Sequence, residues 1–208
     1  MLFNSLDFII FFALVITTIE VIKNRKFQHL FLLAASYFFF IFSSNYLVSL
    51  LIFSTVLDFY IAQEIWKSTD SKKKKRLLII SIMGNLGLLG FFKYTDFGIS
   101  QFNSIAIALG QPEIPLLNII LPIGISFYTF QTLSYTIDVY RGNLEPSKSF
   151  KEFALFVAFF PQLVAGPIVR AKVFLPQLRE KMESGLGLYQ IIIKNRNLKF
   201  GITLVFIG

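Results

Sequence analysis

Five polar side chains recur at helical spacing near the middle of the chain: Tyr128, Gln131, Thr132, Tyr135 and Asp138. Intervals of three and four residues place them on one face of a helix. The surrounding stretch is uncharged, and a polar group facing lipid without a partner is costly. The face therefore predicts contact with protein or with a water-filled cavity. The spacing alone leaves hydrogen bonding between helices and the lining of a substrate tunnel equally open.

Single residues elsewhere give weaker signals. Asp58 lies inside an apolar block, where carboxylates are rare and often functional, and we expect it to pair with a nearby basic side chain. His29 lies at the edge of a block beside Lys26, which predicts a solvated side chain and not a catalyst. The lysines at 72–75 predict a topology signal first and contact with anionic lipids second. Leu133, off the polar face, is expected near lipid.

The composition predicts an integral membrane protein and excludes disorder, collagen-like repeats and coiled coil. The 208 residues are 55% hydrophobic and 15% charged, whereas a soluble chain is about 25% charged. The absence of Cys excludes disulfides and thiolate chemistry, and a single His excludes a multi-His metal site. The net charge of +8 comes from basic residues beside apolar blocks, so it predicts membrane topology and not nucleic-acid binding.

Four apolar blocks predict the first four membrane spans, at residues 8–22, 27–42, 46–62 and 77–92. Several are shorter than the roughly 17–25 residues of a typical span, so they should borrow flanking residues. Lys and Arg follow the first and third blocks and are absent after the second. The positive-inside rule then places the N-terminus outside and the basic loops in the cytoplasm.

The second half of the chain predicts interrupted helices. Residues 97–109 predict a short separate helix at the outer surface. Pro122 and Gly124 should kink or delay the helix that carries the polar face. Residues 153–169 contain two prolines and a glycine, which predicts a bent or re-entrant segment packed inside protein. The expected fold class is all-α, a multi-pass transmembrane helical bundle with broken or re-entrant helices.

The C-terminal residues predict an incomplete span. Residues 200–208 are apolar and would rise only about 14 Å as a helix, against a hydrocarbon core of about 30 Å. We therefore expect residues 1–208 to be the N-terminal part of one longer membrane domain.

Two blocks carry a specific pattern. Residues 121–142 read LPIGISFYTFQTLSYTIDVYRG, and residues 159–170 read FFPQLVAGPIVR, with FLPQL following at 174–178. The opening MLFNS and the FFKY at 91–94 belong to the same pattern. Together they resemble the membrane-bound O-acyltransferase family, in its bacterial branch of alginate O-acetyltransferases and D-alanyl-transfer proteins. The resemblance covers essentially the whole chain.

This resemblance implies an O-acyltransferase of the bacterial inner membrane that moves an acyl group, expected to be acetyl, through a polar tunnel. The donor would be a cytoplasmic acyl-CoA or acyl-carrier thioester, and the acceptor a hydroxyl of a polysaccharide or similar extracytoplasmic polymer. The expected partners are the lipid bilayer, this donor and an extracytoplasmic acyl-transfer protein, with no bound cofactor or metal. The tunnel or substrate-binding candidates are Tyr128, Gln131, Tyr135, Asp138, Gln162 and Arg170.

The resemblance also sets a limit. The essential His of the family lies in its C-terminal half, and His29 is in the wrong region, so we expect no catalytic residue in this chain and no activity from it alone. Arg170 follows 17 uncharged residues and suits either a membrane anchor or a bidentate phosphate contact. The alternatives are a transporter or channel subunit with a polar intramembrane pathway, and a scaffold that recruits a soluble partner through its basic loop.

Overall fold

The protein is all-α in a computed structural model that describes residues 5–22, 24–44, 47–163 and 169–183. The predicted spans at 8–22, 27–42 and 46–62 each coincide with a helix, while the predicted start of a span at 200–208 lies outside the described residues. Within the described ranges, three helices are long and apolar enough to cross a membrane: Phe27–Ser44, Val48–Lys67 and Ser71–Ala108. The predicted fold class is thereby confirmed. The helices are α1 Leu6–Val21, α2 Arg25–Ser44, α3 Val48–Lys67, α4 Ser71–Ala108, α5 Ile125–Tyr140, α6 Phe150–Ala158, α7 Phe160–Leu163 and α8 Ala171–Glu183.

Backbone groups at both ends of α1 form hydrogen bonds with side chains of the protein. The Ser5 hydroxyl accepts a hydrogen bond from the backbone N–H of Phe8 at 3.2 Å, which is an N-cap. The Gln28 amide donates to the carbonyls of Ile19 and Ile22 at 2.9 and 2.6 Å. These carbonyls have no partner within α1, so Gln28 fixes how α2 returns against it.

The prediction of a separate surface helix at 97–109 is wrong, because α4 continues without a break through this stretch. It is 38 residues long, or about 57 Å at 1.5 Å per residue. No proline interrupts it, and Gly98 alone does not end a helix. It starts at Asp70, whose carboxylate accepts from the N–H of Lys72 at 2.8 Å, and it ends before Gly110, which has a positive φ of 68°.

Two side chains of α4 hold residues 111–122, which we call the return segment. The carboxylate of Asp96 accepts from the N–H groups of Leu117 and Ile119 at 2.9 and 2.7 Å. Asn103 bonds both backbone groups of Ile114, accepting at 2.9 Å and donating at 2.7 Å. Asp96 and Asn103 are seven residues apart and share a helical face. The return segment therefore runs back along α4 towards α5.

The predicted delay before α5 and the predicted bend after α6 are both present. Gly124 adopts the left-handed conformation at φ 76°, and α5 begins directly after it. The nine residues of α6 would rise only about 14 Å, too little to cross a bilayer. Its residues 153–158 are all buried, so the bent segment is packed inside protein. Gly166 and Pro167 lie outside the described residues.

An aromatic cluster fixes α7 after the bend at Phe159. The ring of Phe160 lies 5.2–6.5 Å, centroid to centroid, from the rings of Phe8, Phe11, Phe12 and Phe39. The backbone N–H of Phe160 also donates to the hydroxyl of Ser36 on α2, at 3.4 Å. The start of the second resemblance block therefore sits against α1 and α2.

Candidate functional site

The polar face of α5 lies inside the protein, as its spacing predicted. Ten of the 16 residues of α5 are buried, and they include Tyr128, Gln131, Thr132, Tyr135 and Asp138. The helix packs against α3, α4, α6 and α8. This enclosure also makes the expected lipid exposure of Leu133 wrong, because its side chain is only 6% exposed.

Gln131 supports the end of the short helix α6. Its amide nitrogen donates to the carbonyl oxygen of Phe156 at 2.9 Å, and this bond is buried. Phe156 is in the last turn of α6, where carbonyls have no partner within the helix. Gln131 of the first resemblance block thus fixes the chain immediately before the second block.

Tyr135 supports the connection that leads into α6. Its hydroxyl oxygen accepts from the backbone N–H of Ser147 at 3.0 Å, and Gln63 of α3 donates to the carbonyl of Ser147 at 2.6 Å. The ring of Tyr135 lies 4.4 Å from that of Phe153, centroid to centroid. One residue of α5 therefore positions both the loop before α6 and the first turn of that helix.

Asp58 is the centre of a buried polar network, and the prediction that it pairs with a basic side chain is wrong. Its carboxylate accepts from Ser81 at 2.5 Å, Asn85 at 2.8 Å and Thr136 at 3.1 Å. Lys67, the basic residue of α3, lies nine positions further along the helix, or about 14 Å away along the axis. Hydroxyl and amide donors from α4 and α5 take the place of a cation.

Asn85 extends this network through both its amide nitrogen and its amide oxygen. Its amide nitrogen also donates to the carbonyl of Ser81 at 3.0 Å, and its oxygen accepts from Thr132 at 3.4 Å. Sequence reasoning missed Ser81 and Asn85, although their spacing of four residues in an uncharged block was the available signal. The network joins α3, α4 and α5, so part of the polar face binds helices together.

Two candidate residues carry a buried polar atom that has no hydrogen-bond partner in the described part of the chain. These are the hydroxyl of Tyr128, on a side chain 1% exposed, and the amide oxygen of Gln162 in α7. Buried polar groups are rarely left unpaired, and such groups are typical of sites that bind water or substrate. Tyr128 and Gln162 thus differ from Gln131 and Tyr135, whose amide nitrogen and hydroxyl are bonded to the segment around α6.

The remaining candidates lie in different surroundings. Asp138 is buried, and its backbone carbonyl accepts from the N–H of Asn143 at 2.9 Å. Arg170 is exposed at the start of α8, and its carbonyl accepts from the N–H groups of Val173 and Phe174 at 2.9 and 3.2 Å. Arg170 is therefore exposed, whereas the polar face of α5 is buried.

His29 is not the solvated side chain that its neighbours predicted. It is 8% exposed, and its Nε2 atom has no hydrogen-bond partner in the described residues. Its helix, α2, packs against α6, and Glu152 in the first turn of α6 is the nearby acidic group. Helix packing, which the local sequence does not encode, encloses this imidazole.

The fold and this site define an all-α membrane protein in which a buried broken helix is held by the polar face of a neighbouring helix. The chain is 36% identical over 182 residues to the probable alginate O-acetylase AlgI of Pseudomonas aeruginosa. This alignment covers 87% of this chain and 35% of the relative. The chain is 35% identical over 210 residues to the peptidoglycan O-acetyltransferase of Helicobacter pylori, covering 89% of this chain and 38% of the relative. These similarities to O-acetyltransferases support the resemblance of the chain to the membrane-bound O-acyltransferase family.

The alignments cover most of this chain but a smaller part of each relative. The chain spans a little over a third of the length of these curated relatives. No protein-family profile matches the chain, and no solved structure matches it.

Proposed function

We propose that this chain belongs to a cell-envelope O-acyltransferase that transfers acetyl groups to hydroxyls of an extracytoplasmic polymer. The observation that carries the proposal is the similarity to two O-acetyltransferases over 87% and 89% of the chain. Their names share the acetyl group and the oxygen acceptor but differ in the polymer, alginate or peptidoglycan. The proposal therefore takes over the acetyl group and leaves the polymer open.

The proposed orientation follows the charges. The lysines at 72–75 mark the end of α4 that lies in the cytoplasm, at the bacterial inner membrane. A thioester donor, acetyl-CoA or an acyl carrier, reaches the protein from this side, and an extracytoplasmic partner receives or passes on the acetyl group. The permanent charge and bidentate donors of Arg170 suit the phosphate of such a donor, and its exposure leaves it free to bind one.

The proposed roles of the α5 residues follow their hydrogen bonds. Gln131 and Tyr135 position α6 and the block after it, because the amide nitrogen of Gln131 and the hydroxyl of Tyr135 already bond that segment. Tyr128 and Gln162 face the transported acyl group or ordered water, because their polar atoms have no partner in the described residues. None of these residues is proposed as the general base.

The test measures ester-linked acetate in the cell envelope. The gene is deleted, the exopolysaccharide and peptidoglycan are purified separately, and the acetate that mild base releases is quantified per sugar. We expect one fraction to lose its ester acetate and the intact gene to restore it. As a control, a gene that carries Phe130→Leu should restore the acetate as well as the intact gene does, because this side chain is 47% exposed and lies off the polar face.

The same experiment separates acyl transfer from transport. Unchanged acetate per sugar in both polymers would contradict the proposal. A deletion that lowers the amount of exported polymer without changing its acetate content would instead support the transporter interpretation.

A further inference from the structure

The outer part of α4 and the return segment up to Leu121 form one unit, residues 97–121, which we call the α4 hairpin. It lies at the end of α4 opposite the lysines at 72–75. Its 25 residues contain a single charged side chain, Glu113. So little charge is unusual for a protrusion in water and typical of a segment in contact with lipid.

Large apolar side chains are exposed on both arms of the hairpin. Ile105 and Leu109 on the helix are 62% and 71% exposed, and Leu117 and Ile120 on the return segment are 58% and 67% exposed. Exposed large apolar side chains that are concentrated in one unit mark an interaction site. These side chains continue the exposed side of α4 nearer the lysines, where Met83 is 68% exposed.

The length of α4 decides where the hairpin lies. Twenty residues separate Arg76 from Asp96, and at 1.5 Å per residue they already cross a hydrocarbon core of about 30 Å. An upright α4 would therefore carry the whole hairpin into water, with its apolar side chains exposed. A helix that is too long for the bilayer tilts instead, and tilting keeps the hairpin at the depth of the lipid chains and headgroups.

The hydrogen bonds of the return segment fit that depth. Backbone groups of a loop in water need no protein partner, whereas non-helical backbone among lipids must be satisfied by the protein. Asp96 and Asn103 bond four backbone groups of Ile114, Leu117 and Ile119. The charge of Asp96 is directed at two of these N–H groups.

We propose that the α4 hairpin is embedded in the membrane leaflet opposite the lysine run, with lipid chains as its partner. The Asp96 and Asn103 bonds hold the return segment against α4 so that it can lie among lipids. This inference does not depend on the acyltransferase activity.

The experiment uses site-directed spin labels, for which this stretch is convenient because it contains no Cys. Single Cys residues replace Ile105 or Leu117 in the full-length protein, reconstituted in phosphatidylethanolamine and phosphatidylglycerol vesicles. The collision rates of each nitroxide with oxygen and with a water-soluble nickel chelate are measured. Met83→Cys serves as the lipid reference, and Thr69→Cys, exposed between α3 and α4, serves as the water reference.

We expect the oxygen-to-nickel ratio at Ile105 and Leu117 to exceed that at Thr69 severalfold and to approach that at Met83. A ratio equal to that at Thr69 would place the hairpin in water and overturn the proposal. Low collision rates with both reagents would show that a protein covers it, which also overturns the proposal.

A second variant tests the role of the bonds. In Asp96→Ala the label at Leu117 should move towards the water value, because two N–H groups of the return segment lose their acceptor. The label at Ile105 should keep its ratio, since it is on the helix. An unchanged ratio at Leu117 would show that these bonds do not set the depth of the segment.

Discussion

At the scale of single residues, hydrogen bonding divides one helical face into two kinds of position. Gln131, Thr132 and Tyr135 are bonded to neighbouring elements, whereas the hydroxyl of Tyr128 is buried without a partner in the described residues. The sequence places all of them on one face, because spacing alone determines that. It cannot tell them apart, because their partners come from α4, α6 and the loop at Ser147, which are distant in the chain.

A pair of matched substitutions tests this division. Tyr128→Phe removes a hydroxyl that has no partner among the described residues, so thermal stability should stay unchanged or rise slightly while acetylation falls. Tyr135→Phe removes the acceptor of the Ser147 N–H, which should lower the free energy of unfolding by about 1–3 kcal/mol. Thermal unfolding in detergent and polymer acetate in cells measure the two effects. Full acetylation with Tyr128→Phe would remove its hydroxyl from the site.

The second prediction concerns the support of α6. Gln131→Leu leaves the carbonyl of Phe156 buried and unpaired, so it should destabilise the protein by about 1–3 kcal/mol and reduce acetylation. Phe130→Leu is the control at the adjacent exposed position, whereas Leu133→Ala is unsuitable because it would leave a cavity. Melting temperature, membrane abundance and polymer acetate are measured for each. Identical values for the two variants would show that the bond to Phe156 does not matter.

At the scale of elements, the sequence predicts breaks better than continuity. The late start of α5 and the bend after α6 follow from Gly124 and from the residues around Pro161, whose backbone preferences are local. The continuity of α4 was missed because Lys93 and Asp96 look like the end of a span. In the structure Asp96 bonds the return segment, a contact between residues 21 and 23 positions apart that no local pattern reveals.

Two glycines of the α4 hairpin provide a matched test of this element. A Cβ added at Gly98 or at Gly110 would meet no atom within 4 Å, but Gly110 has φ +68°. Gly110→Ala should therefore destabilise the protein by about 1–2 kcal/mol. Gly98→Ala lies in the helix and should stabilise it by up to about 1 kcal/mol. Thermal unfolding of both variants checks this, and equal shifts would contradict the turn geometry at Gly110.

At the scale of the whole molecule, the chain is held together by polar bonds between apolar helices. Asp58 connects α3 to α4 and α5, and Gln131 connects α5 to α6. Apolar surfaces gain little by association within lipid, so such bonds and close packing determine which helices meet. The composition therefore predicts a membrane protein, while the choice of neighbours depends on a few polar residues whose partners only the fold reveals.

The orientation of the molecule is tested with reporter fusions at its two ends in the membrane. A reporter inserted at Thr69 lies between α3 and α4, beside the lysines at 72–75, and leaves both helices intact. A reporter inserted after Ser44 lies at the end of α2, on the opposite side of α3. Because Lys and Arg are retained in the cytoplasm, alkaline phosphatase should be inactive at Thr69 and active at Ser44, with the reverse pattern for green fluorescent protein.

Replacing the four lysines by glutamine is the matched variant, and it should weaken the difference between the sites. The opposite activities at both positions would invert the proposed orientation and would place Arg170 on the side of the membrane away from the cytoplasmic donor.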